Sequence, residues 1–340
     1  MFLCDPTIVL FKPISGQDFY LRAVIESFKS LGYSVLVYHP KDLSSNIYKL
    51  LNHEVDVHLH YVDLRTLIKV KSLIPKSRLH LYVYQFNDPS WGPINKLKYW
   101  TFLGMASLFI NDYIVTSRFL MQKLRLLSRR RIRLVEPYYP CDSSQHTLHV
   151  KEKIESLRSN NVLLLYVGRI NPWRIDISLL LRSASLLSKK GFHVRLTLIS
   201  MKEMGMPYEY LVQRFNGDRL VIEFIGKRLN PNEKAAVYSR AHILMMPMKG
   251  YSAMSPPLSV IEGICYGVIP ITSQIVAQDL SLPHELILRR LDENDFVQKI
   301  ESVIPEYAHF AETLFDKFKR FYELNRFLSQ VKAIVGEDND

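Results

Sequence analysis

Residues 256–273, Pro-Pro-Leu-Ser-Val-Ile-Glu-Gly-Ile-Cys-Tyr-Gly-Val-Ile-Pro-Ile-Thr-Ser, compress a loop, a helix and a buried strand into one short stretch. Paired prolines suit a helix start, whose first N–H groups need no partner inside the helix. Val260, Ile261 and Ile264 give that helix an apolar side, and Gly267 stands where a left-handed cap ends it without strain. Val268 to Ile271 is apolar throughout, the pattern of a strand covered on both faces in a parallel sheet. Free N–H groups and the helix dipole make such a helix start attractive to anions. Glu262, one turn deeper, can accept hydrogen bonds from a diol such as a ribose; a carboxylate there also simply favours a helix N-terminus.

The same strand–loop–helix unit recurs. Thr7 to Phe11 reads as a strand, then comes a loop with Gly16, a helix from about Phe19 to Leu31 and a strand from Ser34 to Tyr38. Strands follow at Val55 to His60, Leu79 to Tyr84 and Asp112 to Thr116, with a helix over Lys96 to Ile110 and another capped by Ser117. Residues 141–158 are polar without a core pattern, which places a domain boundary there. Beyond them, Val162 to Val167 is a fully apolar strand, followed by a Leu-rich helix to Lys190 and strands at His193 to Ser200, Leu220 to Phe224 and Ala241 to Met246. His309 to Val335 reads as one long helix, with apolar residues at three- and four-residue spacing. Such alternation predicts an α/β protein with parallel sheets and right-handed crossovers. A chain of 340 residues suits two domains, here 1–145 and 155–310, with 311–340 as a terminal helix.

Three cysteines (Cys4, Cys141, Cys265) are too few and too scattered for a disulfide framework or a zinc site, which points to a reducing compartment. His58 and His60 alternate on one strand but lack a third ligand at fixed spacing, so no metal is expected. The first residues lack a basic n-region and a cleavage pattern, and the longest apolar run, Tyr99 to Ile110, is short of a bilayer span. A cytoplasmic protein, peripheral on a membrane at most, is the expectation.

Residues 256–273 resemble the donor-site signature of the glycosyltransferase B fold, most closely that of family-four retaining glycosyltransferases. Glu262 matches the second Glu of the family's Glu-x7-Glu, and Gly267 and Pro270 match its Gly-x-Pro with one extra residue between them. Met254 stands where the first Glu belongs. Gly168-Arg169 through Arg174 resembles the family's Val-Gly-Arg-…-Lys-Gly turn, with Arg in the place of Lys. The resemblance implies two Rossmann-like domains facing each other across a cleft. It also implies sugar transfer from a nucleotide-diphosphate donor to an acceptor hydroxyl with retention, and no cofactor or metal. It assigns the ribose to Glu262 and the diphosphate to Arg169 and Arg174, aided by backbone N–H groups at Pro257-Leu258 and Gly16. Gly226 and Lys227 would lie beside the base, Met254 and Asp88 near the sugar. Arginine is well suited to a diphosphate leaving group, which it meets bidentately.

Residues 1–150 hold 19 basic and 11 acidic side chains, giving most of the net +11. The run Lys123 to Arg133, with Tyr99 and Trp100 upstream, reads as a solvated face, an anionic membrane contact or a nucleic-acid contact; nucleic acid is the least favoured. The expected partners are a nucleotide sugar and a glycan or lipid-linked acceptor. Two other classes stand beside the enzyme: a pseudoenzyme that binds nucleotide sugar without transfer, and a basic scaffold indifferent to Glu262.

Overall fold

The apolar runs form parallel strands. The computed structural model describes residues 7–11, 18–38, 55–60, 63–84, 92–170, 172, 174–200, 206–249 and 256–335. Contacts divide the chain into two units, residues 1–138 with 253–255 and 323–340, and residues 139–252 with 256–322.

The first unit carries β1 (Thr7–Phe11), α1 (Asp18–Ser30), β2 (Ser34–Tyr38), β3 (Asp56–His60), α2 (Leu64–Leu73), β4 (Arg78–Val83), α3 (Pro93–Ala106), β5 (Asp112–Val115), α4 (Arg118–Arg125) and β6 (Arg131–Leu134). Its strands lie in the order β2-β1-β3-β4-β5-β6, all parallel. Helix α3 begins with its proline in the first turn, three residues ahead of the sequence expectation. Ser117 caps α4 as expected, its Oγ accepting from Leu120 N at 3.2 Å. Helix α2 and strand β6 went unread, because β6 alternates arginine with aliphatic residues and looks like part of a basic run.

The second unit carries α5 (Ser143–Arg158), β7 (Asn161–Val167), α6 (Ile177–Lys189), β8 (His193–Ile199), α7 (Met206–Phe215), β9 (Leu220–Ile225), α8 (Pro231–Arg240), β10 (Ile243–Met246), α9 (Leu258–Cys265), β11 (Ile269–Ser273), α10 (Gln274–Leu280), β12 (Ile287–Leu288), α11 (Glu293–Val303) and α12 (Tyr307–Phe318). The parallel order is β12-β11-β10-β7-β8-β9. Helix α6 buries Ile177, Leu179, Leu180, Leu181, Ala184 and Leu187, and each buried leucine contributes about 1.5–3 kcal/mol relative to an exposed one.

Two expectations are corrected. Residues 141–158 are not a patternless boundary: α5 fills most of them and buries His146, Val150, Lys153 and Leu157. Two of those four side chains are polar, which hid the buried stripe. The long helix over His309 to Val335 is broken into α12, a 3-10 turn at Lys319–Phe321 and α13 (Leu324–Val335). The Phe321 carbonyl accepts from Tyr139 N at 2.8 Å, so it is engaged outside the helix where an unbroken helix would use it internally. Helix α12 stays with the second unit while α13 packs on α1 in the first. Glu136 secures α13 there: its N–H donates to Gln330 Oε1 at 3.0 Å, and its carboxylate pairs with Arg326.

The structure also joins Cys141 to Cys265 in a disulfide, with Cα atoms 5.8 Å apart. These residues are 124 positions apart in sequence, and only the return of β10 and α9 to α5 brings them together. The reading of a reducing compartment rested on unpaired cysteines, and this pairing removes that premise. Among the described residues no helix is long and apolar enough to cross a membrane.

Candidate functional site

In an open parallel sheet, ligands bind at the C-terminal strand ends where the strand order reverses. In the second unit that point lies between β7 and β10, since β8 follows β7 on one side and β10 adjoins it on the other. The loop after β7 carries Arg169 and Arg174. The loop after β10 leads to α9. Both loops are stitched together: Lys249 N donates to the Arg174 carbonyl at 2.7 Å, and Ile175 bridges Met248 in antiparallel fashion. Ser273 Oγ, at the end of β11, donates to the Met248 carbonyl at 2.7 Å.

Tyr166 and Gly168 set the course of the first loop. The Tyr166 hydroxyl donates to the Arg169 carbonyl at 2.9 Å. A Cβ on Gly168 would stand 2.9 Å from that hydroxyl oxygen, closer than real side chains approach. Glycine is therefore required for the close passage of the tyrosine. Arg169 is exposed and Arg174 half-buried. Burial raises the Tyr166 pKa, with the nearby Arg174 cation opposing the shift.

Glu262 lies on the inner side of α9 and is buried. Its Oε2 accepts from the Tyr238 hydroxyl at 3.2 Å and pairs with Lys234 Nζ. Both partners come from α8, four residues apart and so on one face. Tyr238 also reaches the Ser259 carbonyl at 3.3 Å. Its pKa rises well above the usual value through burial and the Glu262 charge, and burial and the same charge raise that of Tyr139. From the other side, the Tyr322 hydroxyl donates to the Ile261 carbonyl at 2.9 Å. No side chain caps the start of α9, where Pro257 is the N-cap and Leu258 the first helical residue.

Gly267 ends this segment with φ +71°, and a Cβ there would meet Val150 Cγ2 at 2.7 Å. Buried Lys153, one turn further along α5, donates to the carbonyls of Tyr238 (3.1 Å) and Tyr266. One buried amine thus serves carbonyls at the C-terminal ends of both helices that hold Glu262.

Arg169, Arg174, Pro257, Leu258 and Glu262 all stand on the loops or the helix at this strand end. Gly226 and Lys227 follow β9, at the same end of the sheet. Lys227 Nζ is engaged by Glu233 Oε1 at 2.6 Å, and Glu233 completes the capping box with Asn230 that starts α8. Gly16, Asp88 and Met254 lie outside the described residues. Sequence reasoning missed Lys234 and Tyr238. Their i, i+4 spacing was visible, but no local signal says which face of α8 meets Glu262.

His58 and His60 are buried beside tyrosines, His58 Nδ1 lying 3.0 Å from the Tyr82 hydroxyl and His60 Nδ1 against that of Tyr84. Among the described residues no group of three or more His, Cys, Asp or Glu side chains is arranged to hold a metal ion.

Residues 161–305 match the family model described as Glycosyl transferases group 1. Solved structures of similar fold span nearly the whole chain. Sucrose-phosphate synthase from Thermosynechococcus elongatus is 17% identical with a TM-score of 0.70, over 97% of this chain and 98% of that one. HepE from Anabaena, solved with UDP-glucose, is 12% identical with a TM-score of 0.69, over 97% and 99%. Trehalose 6-phosphate synthase from Burkholderia multivorans is 11% identical with a TM-score of 0.67, over 98% and 99%. No curated protein sequence matches the chain. At these identities the structures establish the fold alone, and the family model marks a similarity over residues 161–305. Over residues 161–305 the second unit is similar to the group 1 glycosyl transferases, and the chain has the glycosyltransferase B fold of these structures.

Proposed function

We propose that the protein transfers a sugar from a nucleoside-diphosphate sugar to an acceptor hydroxyl with retention at the anomeric carbon. The observation that carries this reading is the buried Glu262 carboxylate, held by Tyr238 and Lys234 in a helix that starts at the sheet's switch point. Glu262 would accept from the ribose hydroxyls. Arg169 and Arg174, on the adjoining loop, would neutralise the diphosphate, with the first N–H groups of α9 at Leu258 assisting. Transfer breaks the bond between the anomeric carbon and the diphosphate oxygen and forms one to the acceptor oxygen, while the acceptor's proton leaves with the diphosphate. Charge developing on the departing diphosphate is what two arginines stabilise. They take the part a bound metal plays elsewhere, so neither cofactor nor metal is required. Gly226 would lie near the base. Lys227 joins the base contact only by leaving Glu233. Glycan and lipid-linked hydroxyls are the acceptor classes proposed.

Met254 in place of a carboxylate favours a second reading, nucleotide-sugar binding without transfer. A screen of nucleoside diphosphates and nucleotide sugars by thermal shift, beside Glu262→Ala, separates the readings from each other and from neither. Ligand at ~100 times its dissociation constant stabilises by about 2.7 kcal/mol. A shift lost in Glu262→Ala, with release of nucleoside diphosphate once acceptor is added, is the transferase result. A shift without turnover that Met254→Glu restores points to a dormant site. No shift with any nucleotide rejects both.

A further inference from the structure

Helix α3 carries a stripe of exposed apolar side chains. Ile94 is 70% exposed, Leu97 64%, Met105 42%, and Leu108, just past the helix end, 70%. Their spacing, with exposed Thr101 between them, keeps them on one side of the helix. Leu103 and Ala106 on the opposite side are buried, so the stripe is not the helix's core face. Soluble surfaces rarely gather aliphatic side chains in this way without a partner.

The charge around the stripe is of one sign. Residues 92–135 contain nine lysines and arginines and a single acidic residue, Asp112. Asp112 is itself buried and engaged by Arg133 Nε at 3.0 Å. Arg130 Nε donates to the Ser107 carbonyl at 2.7 Å, which ties the arginine segment to the end of α3 where Met105 and Leu108 emerge. Lys98, Arg125, Arg129 and Arg131 are exposed, and so is Leu126 at 80%. The full run Lys123 to Arg133 is not one cationic face, since Arg133 also turns inward to the Ala333 carbonyl.

We infer that this face of the first unit docks on an anionic lipid bilayer, with Ile94, Leu97, Met105 and Leu108 entering the headgroup boundary and the surrounding lysines and arginines meeting lipid phosphates. Aliphatic insertion combined with a basic rim is the chemistry of interfacial binding. A two-fold pair of chains would set the same cations against each other. A nucleic acid would use the cations and leave the aliphatic stripe in water. The inference does not depend on the proposed transfer reaction.

The test is flotation of the full chain with vesicles of phosphatidylcholine alone and of phosphatidylcholine with 30% phosphatidylglycerol. The wild type is expected to float with the anionic vesicles only. Leu97→Glu/Leu108→Glu and Lys98→Glu/Arg129→Glu should each reduce the bound fraction at least tenfold while their melting curves stay at the wild-type position. Should a variant fail to fold, wild-type protein carries the test: brominated lipid should quench fluorescence that is absent in Trp100→Phe. Absence of flotation and quenching overturns the inference. So does undiminished binding by Leu97→Glu/Leu108→Glu, the result for attachment by charge alone. A lipid-free dimer that the same variant converts to monomer would assign the stripe to a second copy instead.

Discussion

The Tyr238 hydroxyl donates to Glu262 Oε2 at 3.2 Å, beside the Lys234 ammonium that pairs with the same oxygen. One buried carboxylate is thus oriented by two side chains of the neighbouring helix. Lys234→Met removes its cation and, among the described residues, leaves the buried Glu262 with the Tyr238 phenol. A loss of about 1–3 kcal/mol in unfolding free energy is expected, measured by denaturant titration. Glu262→Gln keeps a partner for Tyr238, so it should fold yet give no nucleotide-dependent melting shift.

Across the first sheet, Arg78, Asp56, His80, Asp112 and Arg133 form a ladder, buried except at the half-exposed Arg78. His80 lies 3.3 Å from Asp56 and 3.2 Å from Asp112. Burial opposes the imidazolium, but hydrogen bonds to Asp112 and Asp56 outweigh it and raise the His80 pKa above 6.5. Its stabilisation is full below that value and fades as pH rises through the folded-state pKa. Burial also opposes ionisation of Asp56 and Asp112, and their His and Arg partners still lower both pKa values. That contribution is present above about pH 4 and lost on further acidification. His58 lies beside the ladder and His60 next along the strand; burial lowers both, His60 to about 3, and burial lowers His242 in the second unit to about 3. These three favour the neutral form and lose stability as pH falls below 6.5. Melting temperature should therefore drop from pH 7 to pH 5, and His80→Gln should lower stability most on the acid side of 6.5. A flat profile between pH 7 and pH 5 would contradict this arrangement.

Gly168 and Gly267 resist substitution for different reasons. Gly267→Ala meets both a positive φ and Val150, and about 2 kcal/mol or more of destabilisation is expected. Gly168→Ala displaces the Tyr166 ring and, with it, the carbonyl of Arg169. Its cost should appear in nucleotide affinity as well as stability, and the double variant with Tyr166→Phe should recover part of the stability but not the affinity. Additive effects in that cycle would refute the contact.

The Cys141–Cys265 bridge ties the start of the second unit to the end of α9. Thiol titration of the unfolded, unreduced chain should find one free thiol, and three after reduction, since the chain has three cysteines. Cys265→Ser should cost about 2–4 kcal/mol, read by chemical denaturation under non-reducing conditions. Three thiols before reduction would rule the bridge out.

By itself the sequence determined the apolar strands and the turns at their ends, while β6 and β12 escaped it. Val162 to Val167, Val268 to Ile271 and Gly267 are local signals, because continuous apolar runs and a left-handed cap depend on few neighbours. Arg169, Arg174 and Glu262 were legible for the same reason, each sitting at a strand end or helix start with a short motif around it. Tertiary structure decided what depends on distant partners. Lys153 and His146 read as polar surface until the carbonyls of Tyr266 and Cys265 supply hydrogen bonds that let them be buried. The helix over 309–335 breaks because Tyr139 takes the Phe321 carbonyl. Lys234 and Tyr238 become part of the Glu262 site only because β10 brings α8 and α9 side by side. A hydrogen bond or ion pair between residues far apart in sequence leaves no local pattern, and that is where the reading from sequence stopped.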